Sequence, residues 1–260
     1  MTARKIGRGF AFAAALLLAA SAFAKNPWAT DYHKWSAHDC EKVLKDSPWA
    51  RQLRFGDLPI TMGSQELARE NSPQVTYIVQ DRSAQPVREA LVREAQINSK
   101  YDQMAPEKRA AFDQNAAKFL GETFPDRIVI HVEYSSNAQF FNDALTRYWQ
   151  TAQPETLKKS MFLVVPGQED VAPSQVVLGQ GGQHSFDMIF PRQGKNSPLL
   201  RPDTKYLRVR FDAPLPSVVP PSETAGSDAA AAPSSPGVFV SRIVIDFSPG
   251  KMMLDGKLEY

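Results

Sequence analysis

Up to Ser160 the chain mixes helical and strand periodicity, and beyond it only the strand pattern is left. Gln175–Gly179, Ser185–Pro191, Tyr206–Asp212, Val238–Phe247 and a last piece at Met252–Tyr260 are short apolar or alternating runs separated by turn-rich stretches, which is how successive strands read. Helical spacing is confined to the first half, so the chain fits neither a helical bundle nor a regular alternation of strand and helix. We expect a single α+β domain over residues 25–260, its helices in the first half packing on a mixed or antiparallel sheet completed by the C-terminal strands. With 43% hydrophobic residues in 260, there is enough apolar side chain for a real core.

In Ser36-Ala-His-Asp39 a hydroxyl cap is followed three positions on by an acid, which predicts a helix running to about Asp46 and stopped by Ser47-Pro48. Trp35, Val43, Leu44 and Trp49 would then gather into one apolar knot. Strands are expected at Gln52–Phe55 and Gln74–Gln80. The next helix has Ser83 as a cap, Pro86 in its first turn, Val87, Leu91 and Ala95 facing inward, and Glu89 with Arg93 as an i,i+4 pair. A third helix, from Pro106 to Leu120, brings Phe112, Ala116, Phe119 and Leu120 to one face and ends at Gly121.

Arg127–Tyr134 alternates Ile128, Ile130, Val132 and Tyr134 against Val129, His131 and Glu133, a strand with one strongly apolar face. Asn137 then caps a helix carrying Phe140, Phe141, Ala144, Leu145, Tyr148 and Trp149, a broad stripe that a sheet or a partner must cover. Ser160–Val165 closes either a parallel β-α-β unit or an added antiparallel strand. In the later strands Leu207, Val209 and Phe211 should face Phe239, Ile243, Ile245 and Phe247 in the core, leaving Arg208 and Arg210 outside near Asp246.

Residues 213–236 hold six prolines and six alanines in 24 positions, the composition of a disordered loop. The 24 residues after it are too few for a core of their own, so the loop is an insertion within one domain. Gly179-Gln-Gly-Gly182 lacks the lysine and following helix of a phosphate loop and fits a hairpin turn, as does Asp255-Gly256.

Residues 1–24 read as a cleaved signal peptide: Arg4, Lys5 and Arg8, then an apolar run from Phe10 to Ala20, then Ala22-Phe-Ala24 as the cleavage site. The run is well short of the roughly 20 residues that span a bilayer, so no integral membrane segment is expected after cleavage, and the protein should be periplasmic or extracellular. Losing those three cations turns 30 basic and 28 acidic side chains into 27 and 28, which removes the compositional case for a nucleic-acid partner. The lone Cys40 forms no internal disulfide and is read as a small buried side chain. The string Trp35-Ser-x-x-Asp39-Cys-Glu-Lys-Val43-Leu44-Lys-Asp-Ser47-Pro48-Trp49-Ala50 resembles the N-terminal signature of a family of exported bacterial proteins, of acidobacterial type, to which no activity attaches. The resemblance covers sixteen residues and implies export without implying chemistry.

Candidate chemistry is sparse. His131 and Glu133 share a strand face two residues apart and could act as an acid/base pair, although a solvated polar strand face produces the same letters. His33, His38 and Cys40, with Asp31 and Asp39, carry metal-ligand atoms without a recognised ligand spacing. There is no Gly-x-Ser-x-Gly elbow and no cofactor motif, so no cofactor is assigned. The first expectation is an exported, non-catalytic binding or structural protein of the cell envelope, partnered by a protein or another envelope component. The alternatives are an extracytoplasmic hydrolase whose residues come from separated segments, with His131 and Glu133 foremost, and a metal-binding protein using His33, His38 and Cys40.

Overall fold

The computed structural model describes residues 26–56, 74–179, 183–194, 198–216 and 238–260; the expected signal peptide at residues 1–24, most of the expected loop at 213–236 and the centre of the expected hairpin turn at 179–182 lie outside them. Ser36 caps the first helix, α1 (Ala37–Lys45), as its spacing requires: its hydroxyl accepts from the Asp39 N–H, and the Asp39 carboxylate accepts from the Ser36 N–H at 2.9 Å. The reciprocal bonds satisfy donors that a helix start otherwise leaves bare. At Ser47-Pro48 the chain turns back from β1 (Asp46–Ser47) into β2 (Ala50–Phe55). Trp35, Val43, Leu44 and Trp49 are buried in one cluster, and Trp28 stands edge-on to Trp49 with ring centroids 5.7 Å apart.

Two expected caps are displaced by one residue, for the same reason. Ala84 precedes α2 (Gln85–Asn98) because Ser83 serves the sheet: its Oγ accepts from the Val129 N–H, and its own N–H donates to Asp81. Ala138 likewise precedes α4 (Gln139–Thr151), while the Asn137 carboxamide accepts from the Gln74 N–H. On α2, Val87, Ala90 and Val92 are buried but Ala95 is exposed. Arg93 donates to the Trp35 carbonyl at 2.9 Å, and Glu89 accepts from Gln85, so the expected Glu89–Arg93 pair gives way to bonds with other partners. The helix α3 (Pro106–Leu120) buries no residue fully; Phe112, Ala116 and Leu120 are half covered and Phe119 is exposed. Tyr101 against Phe112, 5.5 Å between centroids, supplies part of its cover.

The strands form two main sheets, and every pairing in them is antiparallel. With β3 (Val75–Asp81), β4 (Arg127–Ser136), β6 (Gln175–Leu178) and β7 (Ser185–Pro191), the larger sheet runs β1-β2-β3-β4-β7-β6; the smaller runs β5-β8-β9, from Phe162–Val164, Leu207–Pro216 and Val238–Phe247. The single α+β domain is as expected, but the last long strands build a second sheet instead of completing the first. β5 joins that sheet too, and no parallel β-α-β unit forms.

The second sheet exists because the first has an apolar face to cover. Val75, Tyr77, Val79, Ile128, Ile130, Val132, Tyr134, Phe186, Met188 and Phe190 are buried on one side of the large sheet, facing Leu207, Val209, Phe211, Ile243, Ile245 and Phe247 of the small one. Phe211 lies 6.1 Å from Tyr77 and 5.8 Å from Phe186, and the Tyr77 hydroxyl donates to the Pro214 carbonyl at 2.7 Å. The stripe on α4 fills the rest, with Phe141, Leu145 and Trp149 buried and the Trp149 ring 4.2 Å from Phe186.

Ala213–Pro216, expected to open a disordered loop, instead continue β8 and pair with Val238–Ser241. β5 pairs only with Arg208–Arg210, so among the described residues the far end of β8 has a free edge. There a proline, which lacks an N–H, removes no ladder bond. Arg208 grips Asp246 through two bonds of 2.7 and 2.9 Å, whereas Arg210 turns to Asp170 and Arg242 pairs with Asp212. Asp255 and Gly256 have φ of 48° and 76°, the left-handed pair that a type I′ hairpin between β10 (Met253–Leu254) and β11 (Lys257–Leu258) demands. No helix among the described residues is long and apolar enough to cross a membrane.

Candidate functional site: a polar depression on the large sheet

The other face of the large sheet is where polar side chains collect, because the pleat that sends Ile130, Val132 and Tyr134 inward sends His131, Glu133 and Ser135 out. Register does the rest. His131 lies between Gln80 on β3 and Asp187 on β7, and Glu133 lies between Ile78 and Ser185. Next to them Arg82 leaves the end of β3, its guanidinium 3.3 Å from Glu133 Oε1.

The His131 ring is held by a hydrogen bond on one side and faces a carboxylate on the other. Its Nδ1 is 2.6 Å from Asp187 Oδ1 and its Nε2 is 3.4 Å from Glu133 Oε1, with only 6% of the residue exposed. Contact with His131 holds the Glu133 carboxyl below the usual carboxylate range, reinforced by the charges of Arg82 and Lys45 and opposed by partial burial. Burial draws the Arg82 guanidinium down, against the pull of Glu133 and Asp187, but an arginine this far above neutrality stays charged. Gln80 ties the row to α1 by donating to the Leu44 carbonyl at 3.0 Å.

Ile78, Arg82, His131, Glu133, Tyr134, Ser135, Gln183, His184 and Ser185 line a depression of about 440 Å³ over this row. His184 reaches its rim, but it lies opposite Tyr134 and its ring is on the inner face, stacked on Tyr134 at 5.5 Å and with Nε2 3.3 Å from the Thr146 hydroxyl of α4. Gln183 and Ser185 lie tight against Gly179: a Cβ there would sit 2.7 Å from the Ser185 carbonyl oxygen and 2.8 Å from that of Gln183. Only glycine fits there.

His131 and Glu133, expected together from their spacing, are together in a concave site. Asp187 from β7 and Arg82 from the end of β3 join them. The metal candidates do not converge. His33 pairs with Asp31 at 2.8 Å on the surface, His38 is exposed on α1, and Cys40 points into the core on the opposite side of that helix. Two positions along a helix are about 200° apart around its axis, which separates His38 from Cys40. Burial pushes the Cys40 thiol up to about 11, so almost no thiolate exists at neutral pH. Cys40 is therefore expected to resist a disulfide reagent in the native protein and to react stoichiometrically once the chain is unfolded in urea; fast labelling of the native state would contradict this placement.

Compared with known proteins, the chain matches no family model, no curated protein and no solved structure.

Proposed function

We propose that the protein is an exported, non-catalytic binding component of the bacterial cell envelope, and that the depression around His131 is its recognition site. The observation that carries this reading is the engagement of His131 at both nitrogens, by Asp187 and by Glu133. A general base must keep one ring nitrogen available to the proton it takes, and this imidazole has its two already directed at carboxylates. Ser135 and Ser185 line the site, yet neither hydroxyl is hydrogen-bonded to His131, so neither serine is paired with that imidazole as a nucleophile is with its base. What the depression offers is a row of charged and hydroxyl groups, Arg82, His131, Glu133, Ser135 and Ser185, suited to recognising a polar envelope component. The leader at residues 1–24 would deliver the chain to that compartment.

The second reading, an extracytoplasmic hydrolase, draws on one feature: the 2.6 Å contact between Asp187 and His131 Nδ1, which orients an imidazole as the acid of a triad does. One pair of measurements separates the two. Chromogenic esters, phosphoesters and glycosides are expected to give the same background rate with the wild type and with His131→Ala; turnover that disappears in the variant would replace the binding reading with the hydrolase. In the other measurement, the protein should co-sediment with isolated envelope fragments, and Ser135→Trp, which fills the depression from an exposed position, should weaken that sedimentation. Equal pelleting of the two proteins would move the recognition site elsewhere.

A further inference from the structure

β9 is the outermost strand of the small sheet, paired on one side with β8 and on the other with no strand among the described residues. An edge of this kind carries a row of unpaired backbone donors and acceptors, and proteins usually blunt it with proline, lysine, a bulge or a very short strand. β9 has none of these from Val240 to Phe247. Its outward face instead shows Val240 and Val244, 51% and 46% exposed, with Arg242 between them and Asp246 beyond.

That outward sequence is complementary to itself. When two copies of β9 lie antiparallel about a two-fold axis, each residue meets the one equally far on the other side of the axis. An axis at Arg242 or Asp246 sets like charges against each other, and an axis at Ile243 or Ile245 faces the charges with valines or with Ser248. A position between two residues would oppose an inward side chain to an outward one. Only an axis at Val244 sets Arg242 against Asp246 of the second copy, Val244 against Val244, and Ile243 against Ile245 in the inner layer.

The existing ion pairs extend this match. Arg242 already meets Asp212, and Asp246 already meets Arg208. Across the junction one cross-strand row would read Asp212, Arg242, then Asp246 and Arg208 of the second copy, alternating in sign over four strands. The two-fold repeats that row on the other side of Val244. Cross-strand pairs of opposite charge stabilise a sheet where like charges would open it.

We infer that the protein forms a symmetric dimer through antiparallel pairing of β9 with the β9 of a second copy, centred on Val244, so that two three-stranded sheets become one of six. The backbone bonds supply affinity and the charge row fixes the register, the division of labour usual when a strand is added to an edge.

Sedimentation of the purified protein should give a concentration-dependent dimer. Val244→Lys brings two ammonium groups together on the axis at a position already exposed in the monomer, so it should raise the dimer dissociation constant at least about 100-fold without shifting the unfolding midpoint. Val244→Cys should cross-link into a covalent dimer under mild oxidation, as its thiols oppose each other, while Val240→Cys should not. A protein that stays monomeric at every accessible concentration would overturn the inference. So would a dimer indifferent to Val244→Lys, or equal cross-linking at the two cysteine positions.

Discussion

Trp49→Ala should lower the unfolding free energy by about 3–5 kcal/mol, the usual cost of truncating a large aromatic in a packed interior, and so should remove a large share of the 5–15 kcal/mol typical of a domain. The indole is fully buried, meets Trp28 edge-on, and donates its N–H to the Glu259 carbonyl at 2.7 Å. Truncation would open a cavity between α1 and the large sheet and strip Glu259 of its donor. Trp49→Phe separates the two losses: it keeps most of the apolar volume and gives up the bond, so its cost should fall near 1–2 kcal/mol. Urea midpoints of the three proteins, read by far-UV dichroism so that the lost fluorophore does not matter, would check the order. A Trp49→Ala protein within 1 kcal/mol of the wild type on the same scale would mean that Trp49 is not a support of this core.

The second large effect depends on pH. Asp81 ends β3 with 1% of its surface exposed; Oδ1 accepts from the Ser83 N–H at 3.0 Å, and Oδ2 has no hydrogen-bond partner. Burial pushes its carboxyl up to about 7, only partly offset by the bonds from Ser83 and the charge of Arg192. The sign follows from the direction. An unfolded aspartate titrates near 3.9, so between that value and about 7 the folded protein holds a proton that the unfolded chain has released. Stability from this group is complete below about pH 4 and is lost as pH rises through about 7, a total on the order of 4 kcal/mol. Asp81→Asn cannot ionise. Its unfolding free energy should be nearly flat across that window, and its advantage over the wild type should grow between pH 5 and pH 8. Parallel pH profiles for the two proteins would show that Asp81 does not titrate in this range.

Much of the architecture was legible because it rests on local rules. The Ser36–Asp39 box, the stop at Ser47-Pro48, the alternation on β4 and the Asp255-Gly256 turn are each fixed by residues within a few positions of one another. What failed was decided at long range. Ser83 and Asn137 look like helix caps, but Val129 and Gln74, far away in sequence, claim their side chains. Nothing local says that Leu207–Pro216 and Val238–Phe247 will form a second sheet, because inward faces of equal apolarity can complete one sheet or cover it.

The site divides in the same way. The i,i+2 spacing placed His131 and Glu133 on one face, whereas Asp187 and Arg82 enter through strand register and a strand end. The polar, apolar alternation of Ser185-Phe-Asp-Met was the one available hint that Asp187 would face out, and it could not specify that β7 would lie beside β4 with Asp187 opposite His131.

The bond from the Trp49 indole to Glu259 closes over 210 residues, and near it the Glu259 carboxylate accepts from the Gln85 N–H while Arg192 lies over the Tyr260 ring. That closure has a consequence in time. Contacts between such remote segments form only after a large loss of chain freedom, which slows folding towards the millisecond-to-second range of sheet-rich domains. The apolar knot around Trp49 is built from neighbours and can collapse early, but it is sealed by the last residues of the sequence, so the start of the molecule is among the last parts to become fully native.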